Sequence, residues 1–121
     1  MRYVRAVNRT RGRELGGRIG LADRWWLRAR GLLGRPGLPA GEGLLLRPCR
    51  AVHMLGMAFP LDVAFLDLDG AVIALYRHLG PGARTRWHRH ALDALELPAG
   101  TLAATGTVEG DIIACSAEES S

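Results

Sequence analysis

Asp62-Val63-Ala64-Phe65-Leu66-Asp67-Leu68-Asp69-Gly70-Ala71-Val72-Ile73-Ala74-Leu75-Tyr76 is the stretch that decides the fold class. Two apolar runs flank Leu68-Asp69-Gly70, and Asp-Gly between such runs is the strongest short-range hairpin signal, because the turn needs a residue that takes positive φ without strain. Residues 62–67 and 71–76 are therefore read as a central β-hairpin.

Toward the N-terminus, Leu44-Leu45-Leu46 before Pro48 reads as a short buried strand, preceded by a loop over residues 35–43 rich in proline and glycine. Before that loop the period changes. Ala22, Trp25, Trp26, Ala29, Leu32 and Leu33 recur at 3–4 spacing, with Asp23 as N-cap and Gly34 as C′ residue, which predicts a helix over 24–33. Residues 3–8 alternate with period two and residues 18–22 resume an extended pattern, giving an opening hairpin across Gly12, Gly16 and Gly17. Toward the C-terminus, residues 78–90 form a polar connector and 91–97 a strand. Residues 101–104 suit one capped helical turn. Gly110-Asp111 turns into a last strand at 112–115, and Ser116 onward is a frayed acidic tail. Six or seven short strands with one covering helix make a mainly β domain leaning to α+β: a small antiparallel β-sandwich or a partly open barrel.

A chain of 121 residues, 48% of them apolar, forms one domain over 1–121 and can bury enough surface to fold without a disulfide or metal. Its two cysteines, Cys49 and Cys115, have no zinc or redox spacing, so a reducing cytoplasm is expected. No run approaches the ~20 apolar residues of a membrane span, and Met1 to Val7 alternates where a signal peptide would be continuously apolar. No membrane partner and no cofactor are expected, and the chain reads as a monomer or weak homodimer.

All 16 basic residues are arginine. Residues 1–50 carry twelve of them against Glu14, Asp23 and Glu42, while residues 51–121 carry four against nine acids, so a net +4 conceals +9 and −5. Such a segment suits RNA or anion binding. The preferred reading is that the basic part pairs with the acidic part, because nucleic-acid sites interleave aromatics with cations and Trp25 and Trp26 lie on the core side of the expected helix.

The densest chemistry lies in His53-Met54-Leu55-Gly56-Met57-Ala58-Phe59-Pro60-Leu61-Asp62. Asp62 shares a strand face with Ala64 and Leu66. A carboxylate facing a core needs a partner, and Arg35, His53 or backbone N–H groups are the options. His53 with Asp62 would make an acid–base pair beside Met54, Met57 and Phe59; alternatively Asp62 is a structural hydrogen-bond hub. His88-Arg89-His90 has a spacing that can hold a metal, with Glu96 as third ligand, although a solvent-exposed loop is the commoner outcome. Cys49 four residues before His53 reads as a small buried side chain, as does Cys115 on the last strand.

These motifs, from "GLLGRPGL" and "GEGLLLRPCRAVHMLGMAFPLDVAFLDLDGAV" to "ALELPAGT" and "GDII", resemble a prokaryotic family known as domain of unknown function 192 over about residues 18–114. Matching positions are Gly31, Arg35, Gly43, His53, Gly56, Met57, Pro60, Asp62, the turn 67–70, Glu96 with Gly100, and Gly110-Asp111. Leu33 and Met54 depart from the family's usual Met and Thr. The resemblance implies a compact β-rich fold and supplies no reaction, substrate or cofactor.

No catalytic constellation is complete. The expected function is a non-enzymatic module that binds a small molecule or protein near His53, Met57 and Asp62, bordered by Arg35. The alternatives are a metal-dependent or acid–base enzyme using His53 and Asp62, with His88 and His90, and RNA or anion binding through residues 1–50.

Overall fold

The structure, a computed structural model, describes residues 2–23 and 32–117. Its strands are β1 (Arg2–Asn8), β2 (Arg13–Ala22), β3 (Glu42–Leu46), β4 (Leu61–Leu66), β5 (Val72–Leu79), β6 (Asp93–Pro98) and β7 (Ile113–Ala117), with a short helix α1 (Thr101–Thr105) before β7. They form one seven-stranded sheet in the order β5-β4-β6-β3-β2-β1-β7. The sheet curls into a half-barrel, so the partly open barrel, rather than the sandwich, is the fold. β2 and β3 run parallel, a departure from the expected antiparallel arrangement; the other pairings are antiparallel.

β4 and β5 form the expected hairpin. Asp67 Oδ1 accepts from the backbone N–H of Asp69 and Ala71, and Gly70 takes φ 81°. The same turn closes the curl, because Ile113 N–H donates to the Gly70 carbonyl at 2.9 Å and Val72 N–H to that of Asp111 at 2.9 Å. The two edges of the sheet thus meet at one rim.

Side-chain alternation divides the sheet into two apolar compartments. Ala6, Leu15, Ile19, Leu45, Ala64, Leu66, Val72, Leu95, Leu97 and Ile113, one or more from every strand, fill the lumen, and Leu102 of α1 joins them. Leu44, Leu46, Leu61, Val63, Phe65 and Ala94 point to the outer face, where Val52, Met54, Ala91 and Leu32 from the connections cover them.

Several expectations shift. The helix over 24–33 falls outside the described residues except at its end, where Leu32 and Leu33 lie in a bend and turn. The glycines at 16 and 17 belong to β2, at an irregularity in its pairing with Ala6 of β1, so the hairpin turn is confined to residues 9–12. Ser116 and Ala117 are held in β7 by Arg5 and Val4, so the tail is ordered two residues further than its composition indicates.

Candidate functional site

Asp62 is fully buried, on the lumen side of β4 with Ala64 and Leu66. Its carboxylate accepts from His78 N–H at 2.9 Å, Gly100 N–H at 3.1 Å and Leu102 N–H at 2.9 Å. Gly100 at the N-cap of α1 has no side chain to satisfy the first-turn amides, and Asp62 does this from β4, the strand beside β6 that leads into the helix. No hydrogen bond or ion pair joins Asp62 to His53 or Arg35; Arg35 sits 3.5 Å from Glu42. Asp62 and Arg35 therefore stand apart from His53 and Met57, a correction to the grouping of the four, because backbone donors at the helix start already use the carboxylate.

His53 and Met57 do share a pocket. Residues 50–54 run beside 82–88: His88 N–H donates to the Arg50 carbonyl at 2.8 Å, Thr85 N–H to that of Val52 at 2.9 Å, and Met54 N–H to that of Ala83 at 2.7 Å. This irregular pair of segments stands over the outer face of the sheet and leaves a pocket of about 590 Å³. Its walls include Leu32, Leu46, Val52, Met54, Met57 and Cys49, with Arg50, His53, Leu55 and Trp87 also lining it. Leu55 and Trp87 are exposed at 74% and 66%, unusual for such large apolar groups.

Glu96 enters the same pocket from the sheet. It lies between Leu95 and Leu97, which face the lumen, so alternation turns it outward opposite Val63 of β4 and Leu44 of β3. The residue is 7% exposed and its carboxyl makes no hydrogen bond among the described residues; since no fully buried side-chain oxygen there lacks a partner, the carboxyl stays open to the pocket space. Burial raises that carboxyl to about 7. Near neutral pH it can therefore donate a hydrogen bond as the acid or accept two as the carboxylate.

The histidine pair separates. His88 is buried with Nε2 2.7 Å from the Tyr76 hydroxyl and its ring 4.5 Å from that of Phe65. Burial chiefly, and then the charge of Arg86, lowers its pKa. His90 is exposed. The metal set of His88, His90 and Glu96 is thus not assembled: one imidazole packs in the core, the other faces water, and Glu96 opens into the pocket. Among the described residues no three His, Cys, Asp or Glu side chains converge.

The arginines sort in a way composition does not reveal. Arg2, Arg5 and Arg35 pair with Asp23, Glu14 and Glu42 of the same basic part, and Arg11 and Arg47 pair with Asp111 and Asp93 of the acidic part. Arg50, Arg84, Arg86 and Arg89 are exposed and enter no ion pair among the described residues. Three of these four come from the acidic part of the chain.

The model of the domain of unknown function 192, described as uncharacterized ACR, matches residues 6–115. The chain belongs to that family. Two crystal structures resemble this DUF192 chain. One is a protein of unknown function from Novosphingobium aromaticivorans, 27% identical over 93% of this chain and 83% of the other, with a TM-score of 0.79. The second, from Sinorhizobium meliloti, is provisionally labelled a transcription regulator; it is 26% identical over 95% of this chain and 96% of the other, with a TM-score of 0.73. No curated protein matches the DUF192 chain significantly. No helix among its described residues is long and apolar enough to cross a membrane.

Sequence reasoning missed Arg50 and Trp87 as pocket residues and named Glu96 only as a metal ligand. The signal for Glu96 was present. A lone acid in Ala94-Leu95-Glu96-Leu97 must face away from its leucine neighbours, and the family match at that position singled it out.

Proposed function

We propose that this domain is a non-enzymatic cytoplasmic binding module whose pocket takes a small organic molecule, with Glu96 as its polar anchor at depth. The observation that carries the reading is the Glu96 carboxyl, which lines a mostly apolar pocket from the sheet side, makes no hydrogen bond among the described residues and stays open to the pocket space. A ligand with an apolar body and a hydrogen-bonding group would cover the apolar walls and give this carboxyl a partner. Volume and lining fit the usual small-molecule site, apolar with a few polar groups. The provisional regulator label of the Sinorhizobium meliloti relative is compatible with a bound signal molecule. The acid–base alternative has less support, since the carboxylate of Asp62 is committed to backbone amides. RNA binding through residues 1–50 also has less support, since five of the arginines there are ion-paired.

The test uses N-phenyl-1-naphthylamine, a neutral apolar fluorophore with one N–H donor, titrated into the purified chain. Saturable one-site binding is expected, weakened about tenfold or more in Ala51→Trp, which adds a large ring at a residue lining the pocket, with the melting temperature retained. Absence of saturable binding, or binding unaffected by Ala51→Trp, would overturn the reading.

A further inference from the structure

We propose that the ligand of this pocket is a small organic anion held head-out, with its apolar body inside and its negative charge at the mouth among Arg50, Arg84 and Arg86. The inference rests on the binding reading above and deepens it by naming the ligand's charge and orientation.

Arg50 and Trp87 both line the pocket. Arg86 precedes Trp87 in the chain, and Arg84 forms a β-bridge with His53, another lining residue. All three arginines are exposed. Arg50 donates to the Ala91 carbonyl at 3.3 Å, and no acid of the described residues neutralises any of the three. Glu14, Asp23, Glu42, Asp93 and Asp111 each hold an arginine elsewhere, and Arg9, Arg13 and Arg77 are also exposed without an ion pair among the described residues, so what distinguishes Arg50 is its place in the pocket wall. The field at the mouth is therefore positive, and it draws anions and repels cations. The exposed ring of Trp87 beside these arginines offers a flat apolar face for the part of the ligand that leaves the pocket.

Glu96 determines the orientation. An anion inserted head-in would have to keep Glu96 protonated, since it is repelled by the carboxylate form, and would give up Arg50 at the mouth. An anion held head-out keeps its charge at the mouth and can present an uncharged N–H or O–H donor to Glu96. The best-fitting chemistry is thus a planar or aliphatic body with a donor at one end and a carboxylate, phosphate or sulfonate at the other.

Three indoles that differ only in the end of a three-carbon arm at ring position 3 separate these terms: 3-(indol-3-yl)propanoate, the matching alcohol and the matching amine. Each is measured as a competitor of N-phenyl-1-naphthylamine on the intact chain at low salt. The acid is expected to compete about tenfold better than the alcohol and better still than the amine. That advantage should shrink in Arg50→Gln, in Arg86→Gln and further in the double variant, and in about 0.5 M NaCl, where screening is nearly complete within the span of the mouth. Arg50→Gln gives up one long hydrogen bond to the Ala91 carbonyl and Arg86→Gln no side-chain hydrogen bond among the described residues, so the variants are expected to fold, which a melting temperature close to the parent's checks. Equal competition by the three indoles, preference for the amine, or an advantage that survives in the double variant would overturn the inference. In each of those outcomes the fluorophore still binds and the pocket reading stands; failure of the fluorophore itself would remove both.

Discussion

Asp62 and Leu102, forty positions apart, are joined by a 2.9 Å hydrogen bond from the Leu102 amide to the Asp62 carboxylate. The bond docks the first turn of α1 against β4 while the Leu102 side chain packs in the lumen. In Asp62→Asn the side chain turns an NH₂ group toward backbone N–H groups that need acceptors, so at least one buried amide loses its partner. A stability loss of about 2–4 kcal/mol is expected from urea unfolding, given the strength of hydrogen bonds to a charged acceptor. Binding of N-phenyl-1-naphthylamine to the folded variant should be unchanged, because Asp62 faces the lumen rather than the pocket.

Glu96 gives the stability a pH dependence of defined sign. Burial raises the folded carboxyl to about 7 from an ordinary 4.5, so across that window unfolding releases a proton. Stability from this group is greatest below pH 4.5, falls as pH rises toward 7, and is flat above. The loss is about 3 kcal/mol at 1.36 kcal/mol per pH unit. Glu96→Gln removes the titration. Its unfolding free energy relative to the parent is expected to improve steadily between pH 4.5 and 7.5 in parallel denaturant titrations.

Asp111 has the opposite sign. Arg11 first, then Asn8 and the Val108 amide, hold its carboxyl down to about 2. Its contribution is complete above pH 3.8 and is lost as pH falls toward 2. Asp111→Asn should lower the urea midpoint at pH 7, and the gap to the parent should close as both proteins are taken down through that acid window.

Gly43 tests how tightly β3 and β6 approach. A Cβ there would strike the backbone carbonyl oxygen of Glu96, which cannot swing aside as a side chain can. Alanine normally stabilises a strand relative to glycine; at this position Gly43→Ala is expected to cost about 2 kcal/mol by overpacking. Because the displaced strand carries Glu96, affinity for the fluorophore should fall as well. A neutral or stabilising effect in thermal and urea unfolding would contradict the close approach.

Local chemistry made the hairpin of residues 62–76 legible, since alternation and the Asp69-Gly70 turn act within a few residues of one another. The parallel pairing of β2 with β3 was not legible, because it depends on how the intervening connection crosses the sheet. Asp62 illustrates a partial success. Its face and its need for a partner followed from period two, and backbone N–H groups were among the partners foreseen, but which amides reach it depends on the distant Gly100 turn. Glu96 was readable as facing away from Leu95 and Leu97. That this outer face becomes a pocket depends on residues 50–54 meeting 82–88, a contact with no periodic signature.

β6 divides its side chains between two compartments, with Leu95 and Leu97 in the barrel and Ala94 and Glu96 on the pocket side. A slip of one residue against either neighbour would exchange them, placing a carboxyl in the lumen and a leucine in the pocket. Glu96 thereby discriminates against misregistered pairing of β6 as the sheet assembles. Replacing it by an apolar residue would remove that discrimination, so a variant with a more stable native sheet would also be more prone to trap a shifted one.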